Sequence, residues 1–332
     1  MARIAKQTVP TKEVMDAFYR ATKGETVKRI RSQIDREEVY EYEKKIGKQL
    51  FEMDCDELFE MMRTFGSKRK TMEGPRRTNI NSFFQLSSMY RALFNYYIDN
   101  YNVIKNPFND PRMKSNKGLD HLMENSPRFT QKDVDDLINR IQSDLPEERA
   151  NYVECIIRLF CEGFSTNEEI VLLRENMINF RKRQVKLLGR TVQLSERTLY
   201  LLNYVHSLKK FPANHGEYEA VQYKDYYFKY SVFPRNVKDF NDKDPKELTA
   251  LISRVIVNYV RRPYNADVSY RDFFLLGFYR KLVDTYGEER TNQMLASTRN
   301  ASDTYDIFKV AEAYGVNTSN ISTLKKSMRF YY

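Results

Sequence analysis

Basic residues are concentrated in two short runs of this 332-residue chain, whose formal net charge is +10. The first run contains one acid, Glu73, and seven basic residues: Arg63, Lys68, Arg69, Lys70, Arg76, Arg77 and Arg91. The second run contains no acid and five basic residues: Arg181, Lys182, Arg183, Lys186 and Arg190. Closely spaced guanidinium and ammonium groups bind phosphates. The runs therefore favour contact with a nucleic-acid backbone, and two solvated charged faces are the alternative.

Other kinds of chemistry have little support in the chain. The cysteines, Cys55, Cys155 and Cys161, do not have the spacing of a zinc site. Cys155 and Cys161 lie in an apolar, helix-like stretch, so we expect buried, reduced thiols. Without a nucleotide-binding loop or metal motif, we expect no cofactor, metal or small-molecule ligand. Without a membrane-length apolar stretch or a signal core, we expect a soluble, intracellular protein that contacts no membrane.

Helices must position the first basic run. Apolar spacings of three and four residues predict three helices. One leads to Gly47 and carries Ile30, Ile34, Val39, Tyr42 and Ile46. Asp54 is expected to cap a second, which ends at Gly66, and Asn81 or Ser82 is expected to cap a third. The basic loop 67–80 would then join two helices of a small bundle.

The second basic run lies in a predicted hairpin, residues 180–194, which turns at Gly189. Capping boxes at Thr130–Asp133 and Ser165–Glu168 predict two helix starts. Further helices are expected from Pro146 to near Gly163, from Ser195 to Leu208, over 246–262 and 269–286, and in the tail. Residues 221–233 have strand-like composition. The predicted fold class is therefore mainly α with a small β-sheet.

Residues 105–128 are rich in Pro, Asn, Ser and Gly and separate the two periodic regions. We therefore expect a helical domain over residues 1–110, a linker over 111–128 and a mixed domain over 129–332. A chain of this length can bury two separate cores.

Over nearly its whole length the chain resembles the tyrosine recombinase (phage integrase) superfamily. VYEYEKKIGKQLFEMDCDELFEMM and SFFQLSSMYRALFNYYIDNYNVIKNPF are similar to the first and last helices of that family's core-binding domain. FTQKDVDDLI, LFCEGFSTNEEIVLL and VSYRDFFLLGFYRKLVDTYG resemble its catalytic domain: the opening helix, the stretch with Thr-Gly-Leu-Arg and the His-x-x-Arg box. The resemblance implies a two-domain clamp on duplex DNA, with residues 67–77 on one side and the hairpin with Arg271 on the other.

The same resemblance implies that DNA cleavage has been lost. Active members attack a phosphodiester with a tyrosine, stabilise the phosphate with two arginines and transfer protons through lysine and histidine-type residues. Ser165 stands at the first arginine position and Val268 at the histidine position, whereas Arg271 matches the second arginine and Tyr305 the nucleophile. Lys186 stands near the hairpin lysine. The chain has no tryptophan, and its histidines are His121, His206 and His215, so the late His or Trp position cannot be filled.

A recombinase-like clamp without cutting residues implies a sequence-specific, double-stranded DNA-binding repressor of a prophage or mobile element. It would maintain lysogeny and self-associate on operator DNA. Its expected DNA contacts are Lys68, Arg69, Lys70, Arg76, Arg77, Arg91, Arg181, Lys182, Arg183, Lys186, Arg190 and Arg271. One alternative is a working recombinase with a site rebuilt around Tyr305, Tyr331 or Tyr332. Another is an accessory protein that bends DNA for a separate recombinase.

Residues 309–326 contain a second DNA-binding pattern. Ala311, Gly315 and Ile321 have the spacing of a helix-turn-helix, with small residues where two helices meet. The same spacing is equally typical of an ordinary helix pair that ends the second domain.

Overall fold

In the computed structural model the chain divides into two compact units, Met1–Pro127 and Arg128–Tyr332. The boundary falls at the end of the Pro- and Asn-rich segment. The structure describes residues 10–22, 36–66, 80–101, 106–110, 113, 128–187, 189–213, 216–264, 266, 268–297, 301–316, 319, 321–328 and 331.

The described part of the first unit contains four helices: α1 (Thr11–Ala21), α2 (Arg36–Ile46), α3 (Cys55–Gly66) and α4 (Ile80–Tyr101). Short 3₁₀ turns follow α2 and α4, at Leu50–Glu52 and Pro107–Asn109. The expected end of α2 is confirmed, because Gly47 adopts a φ of 70° that suits glycine. The expected start of α3 is confirmed as well. The Asp54 carboxylate accepts hydrogen bonds from the backbone N–H groups of Asp56 and Glu57.

The expected cap of α4 is wrong. Asn81 and Ser82 lie inside the first turn of the helix, which already includes Ile80. Several polar residues precede the apolar face of α4, and local preference alone does not choose among them. Helix α1 was not expected at all; its buried residues Val14, Met15 and Phe18 have the required spacing.

Aromatic side chains fill the core of the first unit. Phe59 of α3 lies 4.8 Å from Phe83 of α4, measured between ring centroids, and Phe94 lies 5.0 Å from Phe108. The core extends into the predicted linker, since Met113 is buried and its carbonyl accepts a hydrogen bond from Ser87. These contacts hold the segment after α4 against the helices.

The second unit contains nine helices among its described residues. They are α5 (Gln131–Asp144), α6 (Glu147–Cys161), α7 (Asn167–Val171), α8 (Glu196–Ser207), α9 (Pro245–Ile256), α10 (Tyr270–Tyr286), α11 (Glu288–Ala296), α12 (Ala301–Tyr314) and α13 (Ile321–Met328). A π-helical turn, Val257–Arg261, extends α9. The capping box expected at Thr130 is confirmed, and so is the helix expected over Ser195–Leu208, for which Ser195 is the N-cap.

Helix α6 forms the centre of this unit, and α5, α8 and α10 pack around it. It is buried along nearly its whole length, including Val153, Ile156, Ile157 and Phe160. Gly277 lets α10 approach closely, because a Cβ there would lie 1.8 Å from the carbonyl oxygen of Cys161. Cys155 is buried as expected, Cys161 is partly buried, and neither forms a disulfide. Burial raises the pKa of the Cys161 thiol to about 12.

The strands form two three-stranded antiparallel sheets. The first contains β1 (Ile178–Asn179), β2 (Gln184–Leu187) and β3 (Arg190–Gln193), in that order. The second contains β4 (Lys210–Ala213), β5 (Gly216–Gln222) and β6 (Lys229–Val232). The predicted hairpin at Gly189 is confirmed as β2–β3, whereas the strand-like segment 221–233 contains the end of β5, a turn and β6. The mainly α fold class with small sheets is thus confirmed.

The capping box expected at Ser165 and Glu168 is wrong by one residue. Thr166 caps α7, and its hydroxyl accepts a hydrogen bond from the backbone N–H of Glu169. Ser165 instead donates its own N–H and hydroxyl to the Glu169 carboxylate. Two adjacent hydroxyl residues offer equivalent local caps, and the buried Glu169 selects between them.

Candidate nucleic-acid interface

The β2–β3 hairpin separates its residues cleanly between two faces. Val185, Leu187 and Val192 point into the unit and are buried. The opposite face carries two cross-strand pairs, Gln184 with Gln193 and Lys186 with Thr191. Alternation along a strand produces this division, and it leaves a small, fully polar outer face.

The turn between β1 and β2, residues 180–183, has a defined conformation. The Asn179 side chain accepts a hydrogen bond from the backbone N–H of Lys182 at 2.9 Å. Arg183 adopts a φ of 54°, and its carbonyl accepts the N–H of Leu194 at 2.8 Å. The Gln193 amide nitrogen also donates to the carbonyls of Lys182 and Arg183. The turn is therefore held by side chains as well as backbone.

Four cations of the second basic run project into solvent from this turn and hairpin. Arg181, Lys182, Arg183 and Lys186 are all exposed. Within the described part of the chain, the only ion pair made by these four joins Arg183 to Glu196, at 3.9 Å between two exposed groups. Such a pair is weak. The turn therefore presents positive charge that the described residues leave largely unpaired, which favours phosphate binding.

Arg190, the fifth cation of the run, faces inward. Its guanidinium binds the Glu169 carboxylate through two hydrogen bonds of 2.7 and 2.8 Å and donates to the carbonyl of Gly163. The side chains of Arg190 and Glu169 are 12% and 3% exposed. Gly315 packs directly against the guanidinium, since a Cβ there would lie 2.3 Å from it. The charge of Arg190 is used inside the unit, which corrects the expectation that it contacts phosphate.

Ser165, at the position expected for the first catalytic arginine, is hydrogen-bonded to the carboxylate of the same ion pair. Ser165 donates to Glu169 from its N–H at 2.6 Å and its hydroxyl at 3.2 Å. Both donors that could face a phosphate at this position are therefore engaged by a carboxylate. A second anion here would meet the charge of Glu169.

Val268 and Arg271 flank the start of α10. Val268 is buried and has no group that can accept or donate a proton, whereas Arg271 is exposed in the first turn of the helix. Asp272 forms a capping box with Ser269. Asp272 also accepts a hydrogen bond at 2.9 Å from the hydroxyl of Tyr331, which is itself buried. Arg271 is thus presented on a helix end that Tyr331 and Ser269 stabilise.

Tyr305 lies on α12, which packs against both α10 and β3. Its side chain points outward and is 59% exposed. The ammonium group of Lys309 lies 4.7 Å from the centroid of its ring, a cation–π contact one turn along the helix. Tyr332 lies outside the described residues.

The first basic run is only partly described. Lys68, Arg69, Lys70, Arg76 and Arg77 lie outside the described residues. Arg91 is half-buried, and its guanidinium donates to the carbonyls of Phe108 and Met113. Arg63 forms an ion pair with Glu60. Arg91 therefore supports the segment after α4 and is left out of the DNA-contacting set proposed below.

Sequence reasoning missed two residues of this region, Phe180 and Glu169. Phe180 is exposed at the start of the cationic turn, and its position next to three consecutive cations was a usable signal. Glu169 gave no such signal, because its partner Arg190 lies 21 residues away.

For residues 309–326, α12 ends at Tyr314 and α13 begins at Ile321, and both pack against α10 and α11. The helix-turn-helix alternative stays a prediction.

Three solved structures are similar to the chain at low identity. A crystal structure of XerA recombinase matches with 14% identity and a TM-score of 0.34, over 97% of this chain and 100% of that chain. A lambda integrase (75–356) dimer bound to a COC′ core site matches with 9% identity and a TM-score of 0.34, over 90% and 95%. The Tn1549 transposon integrase in complex with a circular intermediate DNA matches with 12% identity and a TM-score of 0.32, over 95% and 98%. At these TM-scores the similarity alone supports no conclusion about function.

Neither a family model nor a curated relative matches the chain. The residues that the structure describes include no helix long and apolar enough to cross a membrane. Those same residues contain no group of three or more His, Cys, Asp or Glu placed to hold a metal ion.

Proposed function

We propose that this protein binds specific sites in double-stranded DNA and regulates transcription without cutting the DNA. The observation that carries the proposal is the cluster of Arg181, Lys182, Arg183 and Lys186 on the β1–β2 turn and the adjoining strand β2. These four cations are exposed, and their only described ion pair is weak. Arg271 and the loop that contains Lys68, Arg69, Lys70, Arg76 and Arg77 complete the proposed phosphate contacts.

The proposed loss of cleavage rests on the chemistry of two positions. Val268 cannot transfer a proton, and the donors of Ser165 are engaged by Glu169. Losing a phosphate-stabilising arginine and the proton-transferring groups should each raise the barrier by several kcal/mol. A protein with this surface and without that chemistry would occupy its DNA site and leave the strands intact.

The regulatory role that fits best is repression in a prophage or mobile element. Occupying a promoter is the simplest use of site-specific binding without cleavage. By its resemblance to an integrase, the chain looks like the master repressor of SPbeta-type prophages, which represses lytic genes and maintains lysogeny. In this role it would act on operator DNA in the bacterial cytoplasm and self-associate there.

The decisive experiment is to sequence the genomic DNA fragments that the purified protein retains at physiological salt with excess competitor DNA. We expect a recurring motif in several promoter regions. Retention of a single site at the end of a mobile element would favour recombination or an accessory role. No selective retention would contradict site-specific DNA binding.

The alternative is an active recombinase, which the exposed side chain of Tyr305 favours. A working nucleophile would leave a protein–DNA adduct that survives denaturant and disappears in Tyr305→Phe. We expect no adduct with the wild-type protein on a denaturing gel. An adduct that persists in Tyr305→Phe would assign the chemistry to Tyr331 or Tyr332.

The basic loop of the first unit has its own test. Arg76→Ala combined with Arg77→Ala should weaken binding to all sequences and flatten its salt dependence, because phosphate contacts do not read bases. Titrations at several salt concentrations measure both quantities. Unchanged affinity and salt slope would remove the loop from the interface.

A further inference from the structure

An exposed phenylalanine begins the cationic turn between β1 and β2. Phe180 is 39% exposed, follows Asn179 and precedes Arg181, Lys182 and Arg183. An exposed aromatic ring does not help cations to bind phosphate, and it forfeits the free energy that burial would provide. The position of Phe180 beside three cations therefore favours a partner that combines negative charge with apolar surface.

The turn holds Phe180 in a fixed position. The carbonyl of Phe180 accepts the N–H of Arg183, and the Asn179 side chain accepts the N–H of Lys182. On the protein side, the ring of Tyr227 lies 6.3 Å from that of Phe180, centroid to centroid. The Tyr227 ring thus supports Phe180 on one side, and 39% of the Phe180 surface is left exposed.

The support behind Phe180 is itself well anchored. The Tyr227 ring stacks on His206 at 4.1 Å, and its hydroxyl donates to Asn203 at 2.6 Å. Burial raises the pKa of the Tyr227 phenol to about 12. A ring held from behind keeps its orientation when it is pushed against a partner.

We propose that Phe180 is an apolar wedge that packs against a base step of duplex DNA while the adjacent cations hold the flanking phosphates. Apolar side chains used in this way partly unstack a base step and bend the duplex. Three consecutive cations beside the ring match the closely spaced phosphates on either side of a groove. The inference rests on the proposed DNA-binding function and adds a source of affinity that does not depend on salt.

The test uses a duplex of about 30 base pairs taken from the fragments that the wild-type protein retains, with 2-aminopurine at successive positions. Wild-type protein should raise the fluorescence at one step, where stacking is lost. Phe180→Ala should lower the affinity about tenfold, leave the salt slope unchanged and abolish the fluorescence increase at saturation. Phe180→Leu should restore part of the increase, because leucine can also act as a wedge.

Phe233 supplies a matched control. It is 41% exposed but lies beside β6 in the second sheet, with the Arg235 guanidinium 4.9 Å from its ring centroid. Phe233→Ala should leave affinity and fluorescence at the wild-type values. Equal melting temperatures for all variants would show that the turn is folded.

Two outcomes would overturn the inference. In the first, the saturated Phe180→Ala complex shows the wild-type fluorescence increase, which would leave the turn as a phosphate contact only. In the second, affinity falls only in proportion to a lower melting temperature, which would make Phe180 a structural residue. If the wild-type protein retains no duplex at all, the proposed function fails and the wedge fails with it.

Discussion

The β1–β3 sheet and the β4–β6 sheet of the second unit each contain three antiparallel strands in sequential order. Each also presents a phenylalanine of similar exposure, Phe180 in the first and Phe233 next to the second. The two sheets differ in what happens to their charges. In the second sheet, Lys210 forms a 2.6 Å ion pair with Glu217, and Lys229 donates to the carbonyl of Leu208. In the first sheet, most exposed cations have no such partner within the described residues.

In the second sheet Lys210 is paired within the protein, whereas most exposed cations of the first sheet remain available to an anionic ligand. A cross-strand pair such as Lys210 with Glu217 gains little energy, but it neutralises local charge. Arg181, Lys182 and Lys186 form no ion pair with the described residues, and like charges that are close together repel one another. A polyanion would relieve that repulsion and release its own counterions. The comparison therefore favours the first sheet over the second as the surface for the proposed nucleic-acid binding.

The largest effect should come from the inward-facing cation of the first sheet. Arg190→Met leaves the Glu169 carboxylate buried without its partner, which should lower the free energy of unfolding by about 3–5 kcal/mol. Unfolding in guanidinium chloride measures this loss. Combining Arg190→Met with Glu169→Gln should recover part of it, because the unpaired charge is removed.

The matched change in the second sheet is Lys210→Met. Its pair with Glu217 is solvent-exposed, so we expect no measurable change in unfolding. If Arg190→Met were equally silent, the interior pair would not stabilise the hairpin. The distinction between an inward-facing and an outward-facing cation would then fail.

The next effect concerns the outward-facing cations. Replacing Arg181, Lys182 and Arg183 together by Ala removes three proposed phosphate contacts. At physiological salt each contact contributes about fivefold in affinity through counterion release, so the loss should be on the order of 100-fold. The slope of log K against log salt should decrease by about 3.

A triple variant of equal charge change provides the control for that experiment. Lys209, Lys210 and Arg235 are exposed in or near the second sheet. Replacing all three by Ala should change DNA affinity far less than the first triple variant. Similar losses for both would show that binding depends on net charge alone, and the comparison between the sheets would be wrong.

A smaller effect should follow from adding one acid to the outer face of the hairpin. Thr191 lies directly across from Lys186. Thr191→Glu would pair with that lysine and repel phosphate, so we expect roughly a fivefold loss of affinity and a slope reduced by about 1. Thr191→Gln introduces a side chain of the same size as glutamate but without its charge. This variant should bind DNA as the wild-type protein does. Equal binding by the Glu and Gln variants would place this face away from DNA.

The smallest effect is expected at Tyr305, on the helix that packs behind β3. Tyr305→Phe should leave DNA affinity and regulation nearly unchanged, since the side chain is exposed and the ring keeps its contact with Lys309. Titration and a reporter assay measure these quantities. A folded variant that no longer regulates would reveal a catalytic or hydrogen-bonding role for the hydroxyl.

Much of the second unit could be predicted from short-range patterns. The helix start at Thr130, the hairpin turn at Gly189 and the cap at Ser195 each depend on residues within a few positions of one another. The caps at Ser165 and at Asn81 or Ser82 were placed wrongly where neighbouring residues offered equivalent local choices. A buried residue decided the first of these, since Glu169 engages Ser165 and leaves Thr166 to cap α7.

The amino-acid sequence by itself determined the net charge, the two basic runs, the periodic helices and the lack of any histidine after His215. Only the tertiary structure decided which cations of the second run are available to a ligand. Arg181, Lys182 and Arg183 occupy a turn that points outward, whereas Arg190 is paired inside the unit. The physical reason is that a buried guanidinium needs an acceptor from elsewhere in the fold. Glu169 on α7 and the carbonyl of Gly163 meet this requirement only after the helices have packed.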